Sequence, residues 1–296
     1  MTTRFVAVFA ALILVPLAAS AAEKYTLKID KPAQVGDRAK HTIHDNTEMK
    51  FTLRNTDGVV VAENTDAKDT RAIYEETILA KEGDKRANKL SRKYESITST
   101  KDVKKLDLDL VGKVVIIERN GAEHKFQYEG GGAVAGDTLE YLKEEFKNKD
   151  DEDRKMERGF MPKVPVAVGE TWKCDMVEIV NSFGKDDSGS INKDKSNATG
   201  KLLRVYSKDG ATFGVVETTI NLLPTKVGNA NFKADAGSKM VFKLTLDACI
   251  DGSRTEGTMS GGMTVDFSGS LSQGGMDFTM KVTGKGKISH TQTPLK

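Results

Sequence analysis

His41 and His44 stand at a His-x-x-His spacing, and histidine is the residue type that most readily ligates metals or moves protons near neutral pH. On a strand, a separation of three places the two imidazoles on opposite faces, so one metal ion cannot take both. No His-Glu-x-x-His occurs, and His124 and His290 have no sequence context that suggests a catalytic base. His41 and His44 are read as partly exposed strand histidines. In Gly257-Thr258-Met259-Ser260-Gly261 the serine falls one place too late for a nucleophile elbow. The glycine-rich stretch 130–136 opens a helix as a phosphate cradle does, but lacks the following Lys-(Ser/Thr) and the Gly-x-Gly-x-x-Gly spacing. Asp107 with Asp109, the acid run 150–153, and Asp186-Asp187-Ser188-Gly189 do not fit the frame of a calcium loop. They read as solvated charge. The residues therefore predict a protein that is not an enzyme and carries neither metal nor cofactor.

What remains is an apolar face. Met240, Met259, Met263, Met276 and Met280 supply half of the chain's 10 methionines. Gly257, Gly261, Gly284 and Gly286 are interleaved with them. Methionine adapts to varied shapes and recurs at promiscuous apolar surfaces. Glycine on an inward face removes side-chain volume and leaves room for a ligand, a helix or tighter sheet curvature. The expected binding residues are Met240, Met259, Gly261, Met263, Met276, Phe278 and Met280, and the expected partner is a lipid, another apolar ligand or a lipidated protein. The competing expectation is a self-packed envelope module, in which an amphipathic helix covers this face as ordinary core.

The elements that would hold such a face are mostly strands. Period-2 alternation dominates beyond residue 22, punctuated by Asp57-Gly58, Asn120-Gly121, Asp209-Gly210, Asp251-Gly252 and Gly274-Gly275, the dipeptides of tight hairpins. The last 60 or so residues read as a three-stranded antiparallel meander with one apolar and one wet face. Its strands exceed the usual length of about 5 to 6 residues, and long strands coil. The predicted fold is mainly β, with long, curved antiparallel sheets like a half-barrel. One helix is predicted near 137–158, with Asp137 as N-cap, Glu140 three residues on, and Leu139, Leu142 and Phe146 as its apolar stripe. Residues 165–173 echo residues 32–40: Pro, Val, Gly, an acid and Lys recur at the same offsets, and an alternating segment follows each (41–53 and 174–180). This spacing predicts a duplication, with a first β half at 23–162 ending in the helix and a second at 163–296.

Composition narrows the classes. The chain's 296 residues carry 45 Lys and Arg against 43 Asp and Glu, a net charge of +2, which gives no field for a nucleic acid. Arg4, the apolar run 5–17 and Ala18-Ala19-Ser20-Ala21-Ala22 have the form of a cleavable signal peptide, residues 1–22. That run is shorter than the roughly 20 residues needed to cross a bilayer. The expectation is export to the periplasm or the exterior of a bacterial cell, not integral membrane insertion. An oxidising compartment permits a disulfide between Cys174 and Cys249. Their strand parities face different ways, so both the paired and the free state stay open.

The segment from Phe160 through Pro165-Val166-Ala167-Val168-Gly169-Glu170-Thr171-Trp172, flanked by a charged helix and a β-meander, resembles secreted bacterial β-rich proteins of unknown function. Their mark is a Pro-Val-x-Val-Gly-(Asp/Glu)-x-Trp motif. The resemblance covers about residues 135–296; the first half has Ala39 where the Trp would stand. It implies export but no activity. The expected architecture also resembles the periplasmic carriers of lipoproteins and lipids, an analogy of fold alone.

Overall fold

The structure, a computed structural model, describes residues 22–296 apart from 30, 33, 83–86, 122, 148–158, 182–190 and 228–229. The expected signal peptide lies outside the described residues but for its last position. Strands β1 (Lys24–Tyr25), β2 (Arg38–Asn55), β3 (Val60–Lys81), β4 (Ala87–Lys101), β5 (Lys104–Lys105), β6 (Val114–Asn120) and β7 (Glu123–Tyr128) precede helix α1 (Gly136–Phe146). After it come β8 (Val166–Ala167), β9 (Thr171–Lys173), helix α2 (Met176–Asn181), β10 (Asn197–Lys208), β11 (Ala211–Leu222), β12 (Lys226–Val227) and β13 (Ala230–Ala234). The meander of β14 (Lys239–Cys249), β15 (Gly257–Gln273) and β16 (Met276–Leu295) completes the chain.

The fold is mainly β, as the alternation predicts. β2, β3, β15 and β16 run 18, 22, 17 and 20 residues. Each of the five turn dipeptides lies between consecutive antiparallel strands. The main sheet runs β7-β6-β4-β3-β2-β16-β15-β14-β11-β10-β9. It is open, with β7 and β9 at its edges. The chain thus lays down one meander outward from β2 and a second inward from β9. The final strand then closes the seam by pairing antiparallel with β2, from Phe278↔Asn55 to Leu295↔Arg38.

The sequence echo is an echo in three dimensions. In the first copy Asp37 N–H donates to Gln34 O at 3.0 Å, and the Asp37 carboxylate accepts from Gln34 N–H at 2.8 Å. In the second, Glu170 N–H donates to Ala167 O at 3.0 Å, and its carboxylate accepts from Ala167 N–H at 2.9 Å. Gly36 and Gly169 hold the same turn position at φ +90° and +88°, a left-handed backbone that glycine adopts without strain. Trp172 then fills the second copy's interior. Its indole N–H donates to Phe160 O at 2.8 Å, and its ring lies where a side chain on Gly200 would stand.

Two local expectations need correction. Helix α1 starts at Gly136 with Ala135 as N-cap and no side-chain cap bond. Asp137 is inside the first turn, where its carboxylate accepts from Asp107 N–H at 3.2 Å and pairs with Lys104 at 3.5 Å. The predicted extension of this helix over 148–158 lies outside the described residues. The alternating segment 174–180 is not a strand beyond β9, because Asp175 ends the extended run. Its Oδ1 accepts from Val177 and Glu178 N–H at 3.1 and 3.3 Å, capping α2, which buries Ile179 and Val180. Periodicity over seven residues does not separate a strand from a capped helical turn.

The core is distributed along the sheet. Tyr141, Leu142 and Phe146 of α1 pack on Tyr74, Tyr94, Val115 and Ile117 of the first half. Ile179 of α2, with Cys174, covers Ala198, Ile220 and Leu222 of the second half. Between them Val265, Phe267, Met280 and Val282 are buried with Phe232, and Met49 and Phe51 pack beside them. The helix expected to cover the methionine face therefore covers the other half of the sheet.

Candidate ligand groove

The register sets the groove. Inward residues of adjacent strands line up as Ile220–Phe242–Met263–Gly286–Thr47–Lys68–Lys101, one row across β11, β14, β15, β16, β2, β3 and β4. The next row reads Thr218–Leu244–Gly261–Ile288–Asp45–Thr70–Ser99. Both rows are largely apolar over the second half of the sheet and polar over the first. On the apolar stretch lies a cavity of about 350 Å³ floored by Ile220, Phe242, Leu244, Met259, Met263 and Ile288. Phe160 and Ile179 also line it, and Asp45 and Thr47 lie at its β2 side. Its volume falls in the roughly 300–1,000 Å³ range of small-molecule sites. Four inter-strand steps of about 4.8 Å carry the floor from β11 to β2, about 19 Å.

Of the residues singled out from sequence, Met259 and Met263 line this cavity. Met240 packs between the α2 core and the central core, and Met280 and Phe278 belong to the central core. Met276 is 62% exposed, at the start of β16 beside the Gly274-Gly275 turn. Gly261 leaves no room. A Cβ there would stand 2.5 Å from Leu244 Cδ2 and 2.6 Å from Lys243 O. At Gly284 the volume is taken by Met49, whose Cγ would be 2.9 Å away. Cross-strand neighbours close into spaces that sequence parity assigned to a ligand. Phe160, Ile179, Ile220 and Phe242 were not anticipated. Parity places Phe242 on the Met240 face, but did not single it out as a binding residue.

Cys174 and Cys249 are both buried free thiols, in separate core clusters. Burial pushes the Cys174 thiol up to about 11. Cys249 donates to Asp251 at 3.1 Å on the far side of β14 from Leu246.

A second polar constellation lies beneath α1. His41 is only 7% exposed, against the expectation of a partly exposed histidine, because its face of β2 is covered by the first-half core. Its Nδ1 lies 3.0 Å from His290 Nε2, and its ring stacks on Tyr74 at 4.9 Å. Burial holds His41 down at about 4 and so keeps it neutral. Arg92, 4% exposed, bonds Glu76 at 2.8 Å and Glu145 of α1 at 2.6 Å, with its guanidinium 3.9 Å from the Tyr74 ring centroid. A buried guanidinium paired with two carboxylates and stacked on an aromatic ring pins α1 to the sheet. The signal was there to read: Arg92 shares its strand face with Leu90, between apolar neighbours. His44 points the other way, with its Nε2 3.3 Å from Asp69 Oδ1. Among the described residues no group of three or more His, Cys, Asp or Glu is placed to hold a metal ion.

No protein-family model and no curated protein matches the chain. Among solved structures, an outer membrane channel from Pseudomonas putida F1 aligns at 10% identity over 90% of this chain and 97% of its own, with a TM-score of 0.22. The outer membrane protein OprG from Pseudomonas aeruginosa aligns at 9% identity over 89% and 99%, with a TM-score of 0.18. TM-scores this low define no shared fold. Among the described residues no helix is long and apolar enough to cross a membrane.

Proposed function

We propose that this is an exported, non-enzymatic binding or carrier protein of the bacterial cell envelope, which holds an apolar ligand or the acyl chain of a lipidated partner in the groove. The observation that carries this reading is the cavity of about 350 Å³ whose floor is almost wholly apolar side chain. Removing apolar area from water is worth about 25 cal/mol per Å², so a face left half open is a standing driving force for a matching guest. Methionine at 259 and 263 lets that face accommodate guests of differing shape. The test is titration with the uncharged fluorescent probe N-phenyl-1-naphthylamine. Saturable binding that Met263→Glu abolishes supports the reading, since a charge forced onto an apolar floor is costly. A folded wild type that never takes up the probe counts against it.

A second reading, a self-packed structural or interaction module of the envelope, is favoured by the close contacts at Gly261 and Gly284. These show part of the methionine face packed tightly by its own strands. The same titration separates the two, because a module without a vacant groove gives no saturable signal.

A further inference from the structure

We infer that the groove's ligand is a cationic amphiphile: an apolar chain ending in an ammonium group that Asp45 recognises. The inference rests on the carrier reading and adds the chemistry of the head group. The two register rows change character at β2, where Gly286–Thr47 and Ile288–Asp45 are neighbouring pairs. An extended guest lying across the strands would keep its tail on Phe242, Met263 and Ile288 and bring its head to Thr47 and Asp45. Thr47 lines both this apolar cavity and an adjoining polar pocket that contains Asp66, Lys68, Lys101 and Glu144.

Charge pairing decides the sign of the head. Lys68 and Lys101 both pair with Glu144 of α1, at 3.3 and 3.5 Å. An anionic head group would have to compete with that carboxylate for its cations. Lys287 also borders the apolar cavity, but it is exposed and stands on the opposite strand face from Gly286 and Ile288. Asp45 meets the Thr47 hydroxyl at 3.4 Å and makes no ion pair of its own among the described residues. It is half-buried at the rim of an apolar floor. A carboxylate in that setting gains most from a charged donor that the guest brings with it.

The test compares dodecylamine, dodecanol and dodecanoate, each below its micelle or solubility limit, as competitors of the naphthylamine probe on the full chain. The amine should bind about tenfold more tightly than the alcohol, the scale of one hydrogen bond to a charged group, and the dodecanoate least tightly. Asp45→Asn should bring the amine's affinity down to that of dodecanol. Saturable uptake of the probe checks that the variant has kept its groove. Equal affinity for amine and alcohol, tighter binding of the dodecanoate, or an amine preference that survives Asp45→Asn overturns the head-group assignment and leaves the carrier reading standing. If none of the three competes because the probe itself does not bind, the carrier reading falls and this inference falls with it.

Discussion

Gly261 and Met263 stand two residues apart on one strand face and have opposite tolerances. A side chain at 261 collides with the Lys243–Leu244 backbone, so it cannot be relieved by a rotamer change. Gly261→Leu is expected to cost at least the 1 to 3 kcal/mol or so typical of an overpacked core, read from the denaturant midpoint at unchanged m-value. A neutral outcome would show that the strands part there. Met263 borders vacant volume, so Met263→Trp should cost less stability than Gly261→Leu while occupying the cavity. Sequence parity identified the face on which both residues lie. It could not show which of its glycines are already filled, because that depends on whether the opposite residue is a Leu or a Gly. The register Leu244↔Gly261 against Gly286↔Met263 is not visible in any single strand. Asp45 was hidden for a related reason. One acid within an alternating strand reads as an ordinary polar position until the strand beside it, β16 from the far end of the chain, is known.

At the scale of elements, α2 is capped by one side chain. Asp175 caps Val177 and Glu178, and also pairs with Lys163 at 2.8 Å. The Lys163 ammonium, followed by the backbone donors, holds the Asp175 carboxyl below the usual carboxylate range. Asp175→Ala should destabilise the protein by about 1 kcal/mol through the lost cap. Since Ile179 of α2 lines the cavity, it should also weaken probe binding, whereas Asp175→Asn should retain most of both. An unchanged affinity in Asp175→Ala would show that α2 is not a wall of the site. The long strands and the five hairpin turns were legible because alternation and turn chemistry are local. The repeated turn was legible because its geometry uses both the Gly and the acid. The six-residue α2 was not, since one capped turn sets no period. The position of α1 was not legible either. Its apolar stripe fits any apolar sheet face, and the ion pairs from Arg92 to Glu145 and from Lys68 to Glu144 choose the first half.

In the whole molecule the two meanders meet at β2 and β16, and the His41–His290 contact lies on that seam. Burial, helped by the charges of His290 and Arg92 and opposed by Glu76 and Glu145, lowers His41 from 6.5 to about 4. The unfolded chain therefore binds the proton first. This contribution is fully present above pH 6.5 and is lost as the pH falls toward 4. It amounts to about 3 kcal/mol at most. His41→Gln should flatten the pH dependence of stability over that interval, as read by urea melts at a series of pH values. An identical slope in wild type and variant would mean that burial does not hold His41 neutral. The same seam brings the polar first half beside the apolar second half and so creates the groove. Native mass spectrometry of the purified protein, wild type beside Met263→Trp, tests that account most directly. The expected result is a bound apolar species, retained from the host or added as dodecylamine, on the wild type and missing from a folded Met263→Trp. A wild type that flies only as the bare chain at every ligand concentration, or a variant that binds equally well, would contradict it.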